Sequence, residues 1–378
     1  MSDEMLQPLP VLVDILESTL PKPAKAAAVD DQAEAVLLQA SFATATGGQY
    51  TPTPEDLIRA RADVLGRMSL NTRKAYRSDL RDYNQFCKQS ERNWDNPWNI
   101  ADYLRHLGDQ GAAVETIKRR VAAIHKMWEL MVKLAGLLEH DPTKHPVVTN
   151  VIPNIEQTRV EHKVSLDQRK AKPLTADTLT KLLASIDTDT LPGQRDTTMV
   201  LIGWYGALRR SELTSLTRHR IEFHNNGVTL QLERTKTNKK TVLVGITNLP
   251  ASQWNPVAHL HTWLNTLDTV AAGTDTLWPG FSRGGNIRRT TKGKIPTITD
   301  DTFNRMLKRR IETAGIANAN EYSGHSLRAG FITEARNRRI DESDTMKHTR
   351  HHDITAFRNY DRGADTLSNR NPTTNLTL

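Results

Sequence analysis

Between residues 55 and 140, apolar residues recur every three to four positions, which is the spacing of one face of a helix. The pattern predicts helices over residues 73–88, 100–107 and 114–135. Ser69 indicates a helix start, because its side chain can accept a hydrogen bond from an N–H group of the first turn. Strand-like alternation is almost absent, so the region is expected to form a small helical bundle.

Residues 173–360 combine helical and strand patterns. Helical segments come first and end in a ten-residue apolar run, residues 199–208. Two short strands are expected at residues 228–233 and 241–246, and the basic turn between them indicates a hairpin. Helical patterns return from residue 302. The expected fold class is therefore mostly α with a small β-sheet, in which a helical domain precedes a mixed α/β domain.

The segment between these two regions, residues 141–172, has no long periodic pattern. It contains Pro142, Pro146 and Pro153, followed by a polar, basic run. Prolines without apolar periodicity are typical of connecting segments. The segment is therefore expected to be an interdomain linker.

The charge of the chain is unevenly distributed. Lys and Arg number 51 against 43 Asp and Glu, a formal net charge of +8. Residues 1–52 carry a net charge of −5, so the remainder must carry +13. A basic body attracts polyanions, with nucleic acid the first candidate. An anionic membrane surface and an ordinary solvated face stay open on composition alone.

Other features of the composition exclude several classes. The ten-residue apolar run is too short for a membrane helix, which needs about 20 residues. The N-terminus lacks the basic and apolar regions of a secretory signal. Cys87 is the only cysteine, so an intramolecular disulfide is impossible. A cytoplasmic protein without a membrane partner is therefore expected.

Four basic segments of the second half carry candidate chemistry. They lie at residues 206–213, 234–237, 323–330 and 351–360. Each also has an ordinary structural explanation: an ion pair, a solvated turn, a hydrogen-bonded histidine or an amphipathic tyrosine. A metal site at His348, His351 and His352 is not expected, because carboxylate or thiolate partners at ligand spacing are missing.

Taken together, the order Arg, Lys, His-x-x-Arg, His, Tyr resembles the tyrosine recombinase family of site-specific DNA recombinases and integrases. The stretches that carry the likeness are Leu208-Arg209 with Glu212, Arg234-Thr235-Lys236-Thr237, Ser323-Gly324-His325-Ser326 with Arg328 and Gly330, and His351 nine residues before Tyr360. Ser69-x-x-Thr72-x-Lys74 and the stretch from Asp102 to Ile117 are similar to the family's core-binding domain. The likeness covers roughly residues 55–360 and is greatest to the Cre-like recombinases.

The resemblance implies a covalent mechanism. Tyr360 would attack the scissile phosphorus and form a 3′-phosphotyrosyl link, which stores the energy of the broken bond. Arg209 and Arg328 would clamp the charged phosphate oxygens. Glu212 would orient Arg209 from behind. Because the arginines supply the positive charge, neither a metal, another cofactor nor ATP is expected.

The remaining roles concern protons. By the same resemblance, Lys236 protonates the leaving 5′-oxygen. His325 handles the proton of the attacking tyrosine, and His351 hydrogen-bonds a phosphate oxygen. Lys239 and Lys240 lie near enough in sequence to compete with Lys236 as the acid, and Arg210 could replace Arg209.

The resemblance further implies a C-shaped clamp of two domains around double-stranded DNA. Phosphate contacts from the bundle would strengthen binding, and the candidates are Arg73, Lys74, Arg77, Arg81, Lys118, Arg119 and Arg120. A homotetramer would bring two inverted-repeat sites together and exchange strands through a Holliday junction.

The expected organisation has five parts. They are an acidic N-terminal extension (residues 1–54), a helical core-binding domain (55–150), a linker (151–172), a catalytic domain (173–362) and a C-terminal tail (363–378). The two terminal parts lie outside the likeness. Two alternatives stay open: a type IB topoisomerase-like enzyme that nicks and reseals one duplex, and a DNA-binding module without catalysis.

Overall fold

A computed structural model describes residues 66, 68–129, 140–162, 164, 171–232, 241–351, 353–358 and 360. The chain divides into two compact units, residues 1–168 and 169–378. Within the described residues, no helix combines the length and the apolar character that a membrane span requires.

The first unit is a bundle of helices. In chain order these are α1 (Leu70–Ser90), α2 (Pro97–Asp109), α3 (Val114–Trp128), a 3₁₀ turn (Pro142–Lys144), α4 (Pro146–Thr149) and α5 (Val151–Glu161). Ser69 caps α1, because its hydroxyl accepts the backbone N–H of Thr72 at 3.1 Å. The three helices that the apolar spacing predicts are confirmed, and the end predicted for α3 lies outside the described residues.

The core of this unit forms where the apolar faces of its helices meet. Leu80 and Tyr83 of α1 are buried against Ile100 and Leu104 of α2 and Ile117 of α3. The hydroxyl of Tyr83 donates to the backbone oxygen of Trp94 at 2.6 Å. This hydrogen bond offsets the cost of burying the hydroxyl in the core.

The segment expected as a linker contains helices instead. Pro142 and Pro146 each begin a helical turn, since a proline at the first helical position loses no hydrogen bond. Val148 and Val151 are buried in the core of the bundle. The expectation of an irregular segment is therefore wrong for residues 142–161. Val151, Ile152 and Ile155 of α5 pack on the core, but three apolar residues in an 11-residue helix give only a weak periodic signal.

The second unit combines a small sheet with helices. Its elements are α6 (Ala176–Ala184), α7 (Leu191–Tyr205), α8 (Arg210–Thr214), a 3₁₀ turn (Arg218–Arg220), β1 (Ile221–His224), β2 (Gly227–Leu232), β3 (Val242–Thr247), α9 (Pro256–Val270), α10 (Asp300–Thr313), a 3₁₀ turn (Ala319–Glu321), α11 (His325–Asn337), α12 (Glu342–Thr349) and α13 (Ile354–Arg358).

The strands form an antiparallel sheet in the order β1-β2-β3. The predicted hairpin is confirmed, with Leu232 opposite Val242 as the pair nearest its tip. β1 was not predicted, because it is only four residues long and three of those residues are exposed. The tip of the hairpin, residues 233–240, lies outside the described residues.

The apolar run of the sequence becomes the centre of this unit. Met199, Leu201 and Ile202 of α7 are almost completely buried. α11 packs closely beside them at Gly330, where a Cβ would lie 1.9 Å from the backbone oxygen of Leu174. The close approach explains why a glycine lies in the middle of this helix. It also sets how closely α11 packs against the backbone at Leu174.

Candidate active site

The turn between α7 and α8 brings a carboxylate behind an arginine. Arg209 is the N-terminal cap residue of α8, and Glu212 lies in its first turn. One carboxylate oxygen of Glu212, Oε2, accepts the backbone N–H of Arg209 at 2.7 Å, and the other, Oε1, accepts Nη1 of Arg209 at 2.7 Å. Glu212 is mostly buried, whereas 46% of the Arg209 side chain is exposed. Glu212 therefore holds a guanidinium whose remaining surface faces outward.

The neighbours of Glu212 keep its carboxyl group ionised. Burial alone would raise the pKa of this carboxyl. The guanidinium of Arg350 and the hydrogen bonds from Arg209 outweigh that effect and lower the pKa below its ordinary value. Glu212 is consequently ionised at neutral pH.

Arg328 is the most deeply buried charged group of the site, with 1% of its surface exposed. It lies on α11, one turn after His325. Its Nη1 donates to the backbone oxygen of Ala207 at 2.8 Å, and its Nη2 donates to Nε2 of His351 at 3.1 Å. Burial, followed by the positive charges of Arg209 and Arg350, lowers the pKa of Arg328 to about 10. The side chain stays positive at neutral pH.

His351 is held between two side chains. Its Nδ1 lies 2.8 Å from the hydroxyl of Thr349, and that hydroxyl donates to the backbone oxygen of Thr345 at 2.8 Å. These contacts fit the tautomer in which Nδ1 donates to Thr349 and Nε2 accepts from Arg328. The imidazole is thereby fixed between a threonine hydroxyl and a guanidinium.

Tyr360 reaches this network from the end of the described chain. Its ring lies 5.3 Å from the ring of His351, centroid to centroid, at an interplanar angle of 62°. Its backbone N–H donates to the oxygen of Phe357 at 3.1 Å. Phe357 is fully buried beneath Arg336, whose guanidinium lies 5.0 Å from the ring centroid. Phe357 thus anchors the segment that carries Tyr360 beside His351.

His325 opens α11 with an exposed side chain. Desolvation and the positive charges of Arg210, Arg328 and Arg209 lower the pKa of His325 below its ordinary value, while Asp300 opposes them. His325 is therefore neutral at pH 7 and able to accept a proton.

The two adjacent arginines of α8 have different partners. Arg209 pairs with Glu212, whereas Nε of Arg210 donates to the carboxylate of Asp300 at 3.3 Å. Thr214 donates to the same carboxylate. Arg210 therefore links α8 to the start of α10, and the geometry favours Arg209 as the group that faces a substrate.

Arg350 belongs to the site although the sequence pattern did not indicate it. Its Nη2 donates to Oε2 of Glu212 and to the backbone oxygen of Ala207, both at 2.9 Å. The side chain is 10% exposed. Its position next to His351 was the only signal, and no spacing rule predicts that an arginine at that place turns inward.

Lys236, Lys239 and Lys240 lie in the hairpin tip outside the described residues. The choice among them as the acid stays a prediction. The strands that flank them do belong to the same unit as Arg209, Arg328 and Tyr360.

The predicted phosphate-binding residues of the bundle separate into two groups. Several are engaged in ion pairs inside the bundle. Arg119 makes two hydrogen bonds of 2.8 Å to the buried carboxylate of Asp79, Arg120 pairs with Asp82, and Lys118 lies 3.0 Å from Glu156. The second group lies on α1, where Lys74 and Arg81 are exposed and Arg73 and Arg77 are half-buried. Of the α1 candidates, Lys74 is the one best placed for an external partner.

Comparison with known proteins agrees with this geometry. The chain matches the phage integrase family over residues 172–366, which is more than half of its length. Residues 63–133 match the SAM-like domain found at the N-terminus of phage integrases. The chain therefore belongs to the phage integrase family, the family of the tyrosine site-specific recombinases.

A sequence relative extends this relationship along most of the chain. The integrase/recombinase xerD homolog of Selenomonas ruminantium is 28% identical over 299 residues, which cover 78% of this chain and 82% of that protein. The match spans far more than the site itself.

Solved structures show the same fold. XerH site-specific recombinase bound to its difH substrate has a TM-score of 0.56 at 14% identity, covering 96% of this chain and 95% of that one. A lambda integrase dimer bound to a COC′ core site has a TM-score of 0.54 at 14% identity, covering 88% and 87%. The Tn1549 transposon integrase with circular intermediate DNA gives 0.53 at 16% identity, covering 80% and 93%. The predicted fold class, mostly helical with a small sheet, is confirmed.

Proposed function

We propose that the protein is a site-specific DNA recombinase that cleaves and rejoins strands through a 3′-phosphotyrosyl link on Tyr360. The observation that carries this proposal is the contact chain from Tyr360 to His351 to Arg328 within one unit. It places a phenol, an imidazole and a buried guanidinium together. That combination suits attack on a phosphodiester more than it suits passive binding.

The proposed reaction begins with attack by the Tyr360 oxygen on phosphorus. A bond forms between the phenol oxygen and phosphorus, and the bond to the 5′-oxygen breaks. Arg209 and Arg328 stabilise the negative charge that gathers on the other phosphate oxygens. Neutral His325 takes up the phenol proton, as its lowered pKa allows. Lys236 gives a proton to the 5′-oxygen.

The proposed strand exchange needs no external energy source. The phosphotyrosyl ester keeps the energy of the broken bond, so a 5′-hydroxyl of another strand can displace Tyr360 without ATP. Two guanidiniums supply the charge stabilisation that a metal ion supplies in other phosphoryl-transfer enzymes. Cleavage in the presence of EDTA is therefore expected.

The proposed partner is double-stranded DNA. Relatives with this fold are solved on DNA target sites, including XerH with difH and a lambda integrase dimer with a core site. A homotetramer that synapses two inverted-repeat sites and passes through a Holliday junction follows from strand exchange in two steps. A specifically Cre-like character stays a prediction.

The experiment that tests this function begins with the target. Footprinting on DNA that flanks the gene identifies a protected site, and two labelled duplexes carrying that site are then incubated with the protein. Recombinant strands and a four-way junction are the expected products. Supercoil relaxation of a plasmid without the site, together with no recombinants, would instead indicate a topoisomerase-like enzyme.

A further inference from the structure

Arg350 adopts a backbone conformation that rarely suits its side chain. Its φ of 60° and ψ of 42° lie in the left-handed region, where it ends α12. Glycine is the usual residue at such a position because it has no Cβ. An arginine here retains backbone strain that a glycine would avoid, which points to a purpose for the side chain.

The guanidinium of Arg350 is surrounded by acceptors. Nη1 donates to the backbone oxygens of Gly206 and His348, at 3.2 and 2.9 Å. Nη2 donates to Ala207 and to Glu212, both at 2.9 Å. The four hydrogens of the two Nη atoms are thereby used, and Nε is buried without a hydrogen-bond partner among the described residues. Because its Nη hydrogens are engaged and its Nε is buried, Arg350 presents no accessible donor to a phosphate.

The acceptors of Arg350 are the groups that hold the two candidate phosphate-binding arginines. Glu212 accepts from Arg350 with Oε2 and holds Arg209 with Oε1. The backbone oxygen of Ala207 accepts from both Arg350 and Arg328. Ala207 itself has a positive φ of 42°, so its carbonyl direction depends on the surrounding contacts.

We propose that Arg350 is a positioning residue: it holds Glu212 and the Ala207 carbonyl in place, and so presents Arg209 and Arg328 to the scissile phosphate. This inference rests on the proposed function. The proposal gives the three guanidiniums different roles. Arg209 and Arg328 touch the substrate, whereas Arg350 acts through them.

The decisive variant is Arg350→Gly. It deletes the guanidinium while giving the left-handed position its preferred residue, which offsets part of the stability lost with the buried ion pair. The matched control is Arg339→Gly, because Arg339 is also left-handed, with φ 57°, but its side chain is exposed. Both variants remove one positive charge and relieve one strained position.

Two quantities are measured with a nicked half-site substrate. They are the single-turnover cleavage rate at saturating protein and the DNA dissociation constant from a protein titration. Arg350→Gly is expected to slow cleavage about tenfold to a hundredfold, because misplacement of reacting groups has effects of that size. The dissociation constant should change less than about threefold, consistent with a loss that is not a loss of binding. Arg339→Gly should cleave at the wild-type rate, and equal rates for all three proteins would overturn the inference.

The route through Glu212 is tested by combining variants. In a Glu212→Gln background, Arg350→Gly should slow cleavage much less than it does in the wild type. Arg350→Lys should recover part of the rate, because an ammonium can still pair with Glu212. If the cleavage rate of the double variant falls by the product of the two single-variant losses, Arg350 acts independently of Glu212.

A second measurement does not depend on cleavage. In the DNA-free protein, NMR of arginine side chains reports how fast each guanidinium rotates. Arg350→Gly should accelerate rotation at Arg209, whereas Arg339→Gly should not. Unchanged rotation would contradict the inference even if the protein cleaved no DNA, and absence of an adduct from the wild type would contradict only the proposed function.

Discussion

Arg328 donates a hydrogen bond of 2.8 Å to the backbone oxygen of Ala207, which precedes it by 121 residues in the chain. The contact joins the start of α11 to the turn before α8. It brings the His-x-x-Arg segment and the Arg-x-x-Glu segment, which are far apart in sequence, to one place. A buried guanidinium needs such acceptors, since a charge without partners is costly in the interior.

Substitution of Arg328 tests whether this geometry serves chemistry. Arg328→Lys keeps the charge but cannot span Ala207 and His351 together, so cleavage should fall about 100- to 1,000-fold. The measurement is the single-turnover rate on a nicked substrate. Arg338→Lys, at the exposed end of the same helix, should leave the rate unchanged. A wild-type rate for Arg328→Lys would show that its forked geometry is not needed.

The protonation of His325 gives a prediction about pH. In the DNA-free protein the pKa of His325 lies below its ordinary value of 6.5, because of desolvation and neighbouring arginines. Arg210→Gln removes one of those charges, so the pKa should rise toward 6.5. NMR titration of the His325 ring measures the midpoint directly, with Arg338→Gln as the control. A midpoint that falls or stays constant in Arg210→Gln would contradict the electrostatic explanation.

Two cations of the bundle should behave differently toward DNA. Lys74 is exposed, so Lys74→Ala should weaken binding and reduce the slope of log affinity against log salt by about one. Arg119 instead holds the buried carboxylate of Asp79. Arg119→Ala should lower the free energy of unfolding by about 2 kcal/mol and leave the salt slope unchanged. Chemical denaturation and fluorescence anisotropy measure the two effects, and an equal slope change for both would refute the distinction.

The general acid can be identified by changing the leaving group. Lys236→Ala should slow cleavage of an ordinary phosphodiester strongly. In a substrate with sulfur in place of the 5′-bridging oxygen, the leaving group is a thiolate, which needs little protonation. This substrate should therefore restore most of the rate of the variant. Lys239→Ala and Lys240→Ala are the matched controls. If one of those variants shows the defect and the rescue instead, that lysine is the acid.

The fold could be predicted from local patterns where one face of an element is apolar. Leu80 and Tyr83 repeat on one face of α1, and the buried positions of β2 alternate, so both elements were found. β1 and α5 were missed because their contacts with the core involve few side chains. Prolines also misled the prediction, since Pro142 and Pro146 begin helical turns instead of interrupting them.

The candidate site, like the fold, could be predicted only in part. The linear spacing of Arg209 and Glu212 allowed their pairing to be predicted, because residues three apart face each other on a helix. Arg350 could not be found by spacing, since its role depends on the backbone of Gly206 and Ala207 on a distant turn. The internal pairing of Arg119 with Asp79 was also invisible, because a basic stripe in a sequence carries no information about the carboxylates beside it.

Everything in the proposed mechanism depends on the covalent bond to Tyr360. A half-site substrate with a nick beside the cleavage point traps the adduct, because the short 5′ fragment diffuses away. The wild-type protein should give an SDS-resistant adduct, in the presence of EDTA as well, and mass spectrometry should place the nucleotide on Tyr360. Tyr360→Phe should bind the same DNA without forming an adduct. An adduct formed by Tyr360→Phe, or one mapped to another residue of the wild type, would contradict the account.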